Sequence, residues 1–247
     1  MQYLIEEYDF FENIPRLKNW INTHKTHLTL EQIYFIVSRA PVTVKNLTNT
    51  HVTILHCGFS IETPFGLLSK QAWQYVRTVV DASADKSIRH FRMNEDVFIG
   101  ALLEDSDFKQ TVADIMHKDR ADDPAVIDQF YAGNLFSFWG ITSKRFVDAT
   151  EGDVVLVIGN TFDPNAVFTQ IELPALRKNA NVTSVSGLAK NRFDAIYDSM
   201  IEKNGAKGLV KVTEYFQKIY QKACPVFDRN KSPMIYMANM SRRPSRS

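Results

Sequence analysis

The chain has 247 residues, of which 45% are hydrophobic and 23% charged, and its formal net charge is +1. A chain of this size can bury a core without staples, as one large domain or two small ones. The balanced charge gives no global case for a nucleic acid or an anionic membrane as partner. The two cysteines, Cys57 and Cys224, make neither a disulfide framework nor a zinc-ligand spacing, and read as small buried or idle thiols.

The first residues, interrupted by Glu6, Glu7 and Asp9, have no basic region followed by an apolar one, so no signal peptide is expected. No apolar stretch approaches the roughly 18 residues of a membrane-spanning helix. The sequons at Asn46, Asn181 and Asn239 read as coincidental in that context. Residues 10 to 40 read as helical. Leu17, Trp20 and Ile21 recur at helical spacing, as do Leu30, Ile33, Tyr34 and Val37. Thr29 with Gln32 predicts a capping box, and Pro41 a helix end. His51 to Phe59 reads as a short strand closed by a turn at Gly58, and a helix is expected from about Ser69 to Val80, with Trp73, Val76 and Val80 on one face.

Ser83 to Arg92 is polar and reads as a loop or short turn. Asn94 is placed to cap a helix Glu95 to Leu103, with Asp96 in its first turn where the dipole favours negative charge. Further helical segments are expected at Phe108 to Met116, Val126 to Tyr131 and Trp139 to Thr150, the last with Ile141, Phe146 and Ala149 inward. The texture then changes. Asp153 to Ile158 is a β-branched run after Gly152, Val167 to Leu173 alternates apolar and polar residues, and Val182 to Leu188 is a shorter run. All three read as strands. Helices follow at Phe193 to Ile201 and Leu209 to Ala223, the latter with Val212, Tyr215, Phe216 and Ile219 on one face, and Cys224-Pro225 ends it. Met234 to Met240 is a short apolar end segment, and the basic tail from Arg242 reads as a frayed terminus.

The expected fold class is α/β, or α+β with two lobes. A mainly helical lobe, residues 1–150, precedes an α/β lobe, residues 151–247, with a small, mainly parallel sheet flanked by helices. Residues 61–92 could pack on the second lobe. No repeat, low-complexity tract or Gly/Ser linker separates the halves, so closely packed lobes with an active-site cleft between them are expected.

Several chemistries lack their residues. Gly152, Gly159 and Gly187 are isolated, so neither a P-loop nor a dinucleotide fingerprint is present. There is no Gly-x-Ser-x-Gly elbow. His24 and His27 sit in a polar turn without a partner set for a metal. What remains is aromatic plus carboxylate: Glu172 among Phe168, Ile171 and Leu173, Glu95 at a helix start, and Trp139. A carboxylate in an apolar run costs desolvation unless something offsets it. Such a group can stabilise an oxocarbenium-like centre and hold sugar hydroxyls, while an indole face can stack on a flat heteroaromatic ring. An inter-helix core position would equally suit Trp139, a first-turn helix acid Glu95, and an edge-strand salt bridge Glu172.

Three blocks, Phe138-Trp139-Gly140-Ile141-Thr142-Ser143-Lys144-Arg145-Phe146, Gly152-Asp153-Val154-Val155-Leu156-Val157 and Val167-Phe168-Thr169-Gln170-Ile171-Glu172-Leu173, resemble the ADP-ribosyl cyclase / NAD glycohydrolase family. Asn94-Glu95-Asp96-Val97-Phe98-Ile99-Gly100 onward to Glu104-Asp105 resembles that family's acidic signature helix. The likeness covers about residues 90 to 190. It implies that Glu172 is the catalytic glutamate, holding the ribose hydroxyls and stabilising the cation left when nicotinamide departs. By the same resemblance Trp139 is a pocket tryptophan, Glu95 contacts the nicotinamide amide, Ser143 lies on the phosphate side, Phe168 flanks the catalytic segment, and Asp96 and Glu104 belong to the acidic helix.

The sequence departs from the family in two ways. The family's second pocket tryptophan precedes a Ser-Arg pair. Here Leu68-Ser69-Lys70 stands in that place, so Ser69 and Lys70 match the pair and Trp73, one turn on, is a substitute or a core residue. The family's secreted members are rich in disulfides, and this chain is not. The resemblance therefore implies an NAD glycohydrolase or cyclase working in a reducing cytoplasm, in the manner of a delivered toxin with a cognate immunity protein. NAD or NADP would be substrate, with no cofactor or metal. Because Val167 leaves room for water, hydrolysis to ADP-ribose is expected to dominate over cyclic ADP-ribose. Two alternatives stand beside it. One is a mono-ADP-ribosyltransferase, since Gln170-Ile171-Glu172 fits Gln-x-Glu. The other is a non-catalytic protein that binds a nucleotide or partner.

Overall fold

The computed structural model describes residues 14–27, 29–40, 52–63, 66–81, 90–91, 100, 105–107, 110, 114 and 138–223. In chain order these form helices α1 (Ile14–His24) and α2 (Leu30–Arg39), strands β1 (Val52–Cys57), β2 (Phe59–Thr63) and β3 (Gly66–Gln71), helix α3 (Ala72–Asp81) and strand β4 (His90–Phe91). Helix α4 (Phe138–Asp148) and strand β5 (Gly152–Ile158) lead to a π-helix (Phe168–Glu172) that runs directly into α5 (Leu173–Lys178). Strands β6 (Val182–Val185) and β7 (Leu188–Ala189), helix α6 (Lys190–Asn204), a single 3₁₀ turn (Gly205–Lys207) and helix α7 (Gly208–Ala223) follow. The protein is mixed α/β, as its sequence predicts. No helix among the described residues is long and apolar enough to cross a membrane.

The chain divides into two compact units, one of Met1–Val44 with Met93–Ala149, the other of Lys45–Arg92 with Thr150–Ser247. Strand β1 thus belongs with the C-terminal half of the chain. In the first unit, Leu17, Ile21, Ile33, Ile36, Val37 and Ala40 are buried, as are Phe146 and Val147 of α4. Thr29 caps α2 reciprocally: its Oγ1 accepts from the Gln32 amide, and its own amide donates to Gln32 Oε1. Helix α2 ends at Arg39, before the pyrrolidine of Pro41 could disturb it. Helix α4 stops at Asp148, and Ala149, expected inward, is exposed.

The second unit is built on a five-stranded sheet of order β4-β1-β5-β6-β7. The pairs β4/β1, β1/β5 and β5/β6 are parallel, and only β6/β7 is antiparallel. Val154, Leu156 and Ile158 alternate with Val155 and Val157 along β5, and all five are buried. A strand covered on both faces reads as a continuous apolar run, which is why 153–158 was legible. One face packs Val52, Ile54, Val155 and Val157 against Tyr75 and Val76 of α3 and Tyr220 of α7. Burying each such aliphatic side chain stabilises the fold by roughly 1.5–3 kcal/mol. The β6–β7 turn is two residues, Ser186 and Gly187, both at positive φ, the mirror-image turn that suits strand twist.

Two expected elements differ. Val167 to Leu173 is not a strand. Phe168, Thr169, Ile171, Glu172, Leu173, Ala175 and Leu176 are buried while Gln170, Pro174 and Arg177 are not, a helical period rather than alternation. The Leu173 amide donates to Phe168 O in the wider π register, and Pro174 follows in the first turn of α5. The second unit therefore carries Glu172 on a helical turn, not on a catalytic strand. The helix expected from Ser69 begins instead at Ala72. Gly66–Gln71 pairs with Phe59–Thr63 as a small antiparallel hairpin, so Ser69 and Lys70 lie on a strand.

Candidate functional site

In open α/β sheets, ligands gather outside the carboxyl ends of the parallel strands. Strands β1 and β5 end side by side, Cys57 opposite Ile158. Glycines follow both, Gly58 and Gly159, and there the two segments cross, bridged at Phe59 and Thr161. The Gly159 amide donates to Cys57 O at 2.9 Å, the Phe59 amide to Thr161 O at 2.8 Å, and the Asn160 amide to Ser60 O at 2.8 Å. Gly58 sits at φ +85°, and a Cβ on it would overlap Thr161 O. A Cβ on Gly159 would lie 2.6 Å from the Phe59 amide nitrogen. No side chain fits either position, so the crossing can be this close only because both residues are glycine.

From this crossing the chain runs through Thr161 to Ala166 into the π-helix that carries Glu172. The turn is tied locally: the Asn165 amide donates to Asp163 Oδ1 at 2.8 Å, and Gln170 Nε2 to Pro164 O at 2.7 Å. The π-helix packs on β1. Glu172 is 6% exposed and Phe168, one turn earlier, 2%. The two lie four residues apart on the π-helix, and both are buried. Burial pushes the Cys57 thiol well above its ordinary pKa, and the nearby Glu172 carboxylate adds to the shift. A buried carboxylate beside the carboxyl end of a central parallel strand can accept hydrogen bonds from a sugar and oppose a developing positive charge. Both interactions are stronger in a low-dielectric site than in water.

The other predicted residues group separately. Trp139, partly exposed, and Ser143, buried, lie four residues apart on one face of α4 in the first unit. Ser69 and Lys70 are exposed on adjacent positions of β3, so their side chains leave opposite faces of the hairpin. Trp73 is 38% exposed and is not a core residue. Its Nε1 donates to Gln71 Oε1 at 2.6 Å, which holds the indole at the surface at the start of α3. Glu95, Asp96 and Glu104 lie outside the described residues. Among the described residues no cluster of three or more His, Cys, Asp or Glu could hold a metal ion. His24 Nδ1 instead donates to Trp20 O of its own helix, 2.8 Å away, and the imidazole stacks on the Trp20 ring.

Cys57, Gly159 and Asn160 were not singled out as site residues from sequence. The available signal was an apolar strand that ends in Gly-Asn, where an α/β sheet presents its carboxyl edge. No family model, curated protein or solved structure matches the chain.

Proposed function

We propose that this chain cleaves the nicotinamide–ribose bond of NAD or NADP, releasing nicotinamide and ADP-ribose (or its phosphorylated counterpart), with cyclic ADP-ribose as a side product. The observation that carries the reading is Glu172: a buried carboxylate beside the carboxyl end of β1, within a segment resembling the catalytic one of the NAD glycohydrolase family. In the proposed reaction the C1′–N bond breaks and its electron pair leaves with neutral nicotinamide. Glu172 opposes the positive charge left on the ribose and accepts from its hydroxyls. Water then attacks C1′ and gives up a proton, yielding ADP-ribose. Attack by the adenine ring in place of water closes the cyclic product.

The transferase alternative has less support. On a strand Gln170 and Glu172 would face the same way. On the π-helix Gln170 is exposed and Glu172 buried, so the Gln-x-Glu pair does not act as one surface. The roles of Trp139 with nicotinamide and Ser143 with phosphate rest on the resemblance alone. So does the further proposal of an NAD-depleting toxin, working in a reducing cytoplasm and held in check by an inhibitor protein.

The test is nicotinamide release from NAD by purified protein, with Glu172→Gln beside it. The expected result is turnover in the wild type and a loss of about a thousandfold in kcat in the variant. Absence of turnover in the wild type, or full turnover in Glu172→Gln, overturns the proposal. NAD binding without nicotinamide release would instead support the non-catalytic reading.

A further inference from the structure

Helix α7 buries Val212, Phe216 and Tyr220. Beside that apolar stripe runs a polar one at the same spacing: Thr213, Gln217 and Gln221. Residues four apart stack on one helix face, and all three reach the chain that leads from β5 to Glu172. Thr213 Oγ1 lies 3.4 Å from Thr169 Oγ1 inside the π-helix. Gln217 Nε2 donates to Gly159 O, and Gln221 Nε2 donates to Asn160 Oδ1 at 2.7 Å. Partly buried amides cost desolvation that leucines of similar size would avoid, so packing alone does not call for them. Two amides one turn apart instead take two acceptors of one corner, the Gly159 carbonyl and the Asn160 side-chain oxygen.

We infer that Gln217 and Gln221 are positioning residues for the proposed active site, clamping the Gly159–Asn160 corner at the carboxyl ends of β1 and β5. The inference rests on the NAD-cleaving reading for its functional consequence, and on the hydrogen bonds alone for the clamp. The corner is coupled to the Glu172 neighbourhood on both sides. The Gly159 amide donates to Cys57 O, and the π-helix packs on β1. A corner free to move would let the end of β1 and the π-helix shift together. An ångström of misplacement at a reacting centre can cost on the order of a hundredfold in rate.

The experiment compares Gln217→Leu, Gln221→Leu and Gln221→Glu with the wild type. The readouts are kcat and KM for nicotinamide release, thermal midpoint, and amide hydrogen exchange at Gly159 to Thr161. Each leucine variant is expected to exchange faster at the corner and to lose about tenfold or more in kcat, with KM within threefold and the fold retained at assay temperature. Gln221→Glu should restore slow exchange and most of kcat, because Asn160 can turn its amide and donate to the new carboxylate. Unchanged exchange at the corner in both leucine variants overturns the clamp. Faster exchange with undiminished kcat, or a kcat loss that only follows the unfolded fraction, overturns its role in positioning. If the wild type itself does not release nicotinamide, the proposed activity fails, and corner exchange alone then decides the clamp: faster supports it, unchanged overturns it.

Discussion

The Glu172 carboxylate lies within electrostatic reach of the Cys57 thiol, one on the π-helix and the other at the last position of β1. Burial is the larger influence on the thiol and the carboxylate the smaller, and both keep the proton on sulfur. The thiolate, not the thiol, reacts with alkylating agents. Cys57 is therefore expected to resist iodoacetamide in the native protein at pH 8, where an unfolded cysteine with a pKa of roughly 8.5 reacts readily. Glu172→Gln should leave it resistant, because burial remains. Peptide-level mass spectrometry checks this, and rapid native alkylation at Cys57 would contradict it.

The crossing after β1 and β5 tolerates no side chain. At Gly159 a Cβ meets backbone of Phe59, which cannot swing aside as a flexible side chain would. Gly58 adds a positive φ that an alanine adopts only under strain. Either Gly→Ala change is expected to destabilise the second unit by about 2 kcal/mol or more, in line with the cost of a strained backbone position. The midpoint of urea unfolding measures it. In the nicotinamide assay Gly159→Ala should also lose activity, since it displaces the corner that precedes the π-helix.

Much of this architecture is legible in the sequence where local chemistry and tertiary context agree. Asp153 to Ile158 is rich in β-branched residues, begins after a glycine and ends before one, so strand and burial coincide. Thr29 and Gln32 announce a cap that forms as written. Glu172 stands out from sequence for a reason the fold keeps, a carboxylate with buried apolar neighbours. Its setting differs from the expected strand: Thr169, Gln170 and Glu172 interrupt an apolar run in a way that imitates alternation. What decides is burial in the tertiary structure: Phe168, Thr169, Ile171, Glu172 and Leu173 are all buried on the helical turn. The start of α3 lies at Ala72 and not at Ser69: Leu67 and Leu68 are adjacent and both exposed, so neither period marks the hairpin. The nearness of Cys57 to Glu172, and the glutamine stripe on α7, arise from contacts between segments far apart in the chain. No local pattern records them.

Arg145 of α4 has a structural task. Its guanidinium donates to Val37 O at 2.7 Å and to Ala40 O at 2.5 Å, closing carbonyls that the end of α2 leaves without helical partners. Burial lowers its pKa, but an arginine remains cationic at neutral pH. Arg145→Met keeps the stem and removes both donors. The expected cost is about 2 kcal/mol, the range for hydrogen bonds with a charged partner. Arg145→Lys should recover roughly half of it, since an ammonium cannot span both carbonyls as a planar fork does. Chemical denaturation of the three proteins provides the comparison, and a methionine variant as stable as the wild type would contradict the assignment.

One link between α5 and α6 is an ion pair whose pH dependence has a definite sign. Arg177 donates through Nε to Asp198 Oδ1 at 2.9 Å and through Nη2 to Oδ2 at 2.7 Å, a two-pronged contact. That hydrogen bonding holds the Asp198 carboxyl below the usual aspartate range. A carboxyl whose pKa is depressed on folding adds stability that is present above its unfolded value, roughly 3.9. The contribution is lost as pH falls through the folded value. The Asp198 side chain is 56% exposed, so solvent screening keeps the gain small, about 1 kcal/mol or less. Asp198→Asn is therefore expected to be slightly less stable than the wild type at pH 7 and low salt. The difference should shrink in 0.5 M salt, where the screening length falls to about 4 Å, and should vanish as pH drops through the folded pKa of Asp198. Urea midpoints across that series decide it. A gap that widens on acidification would mean that the carboxylate destabilises the fold and that the Arg177 contact does not hold α5 to α6.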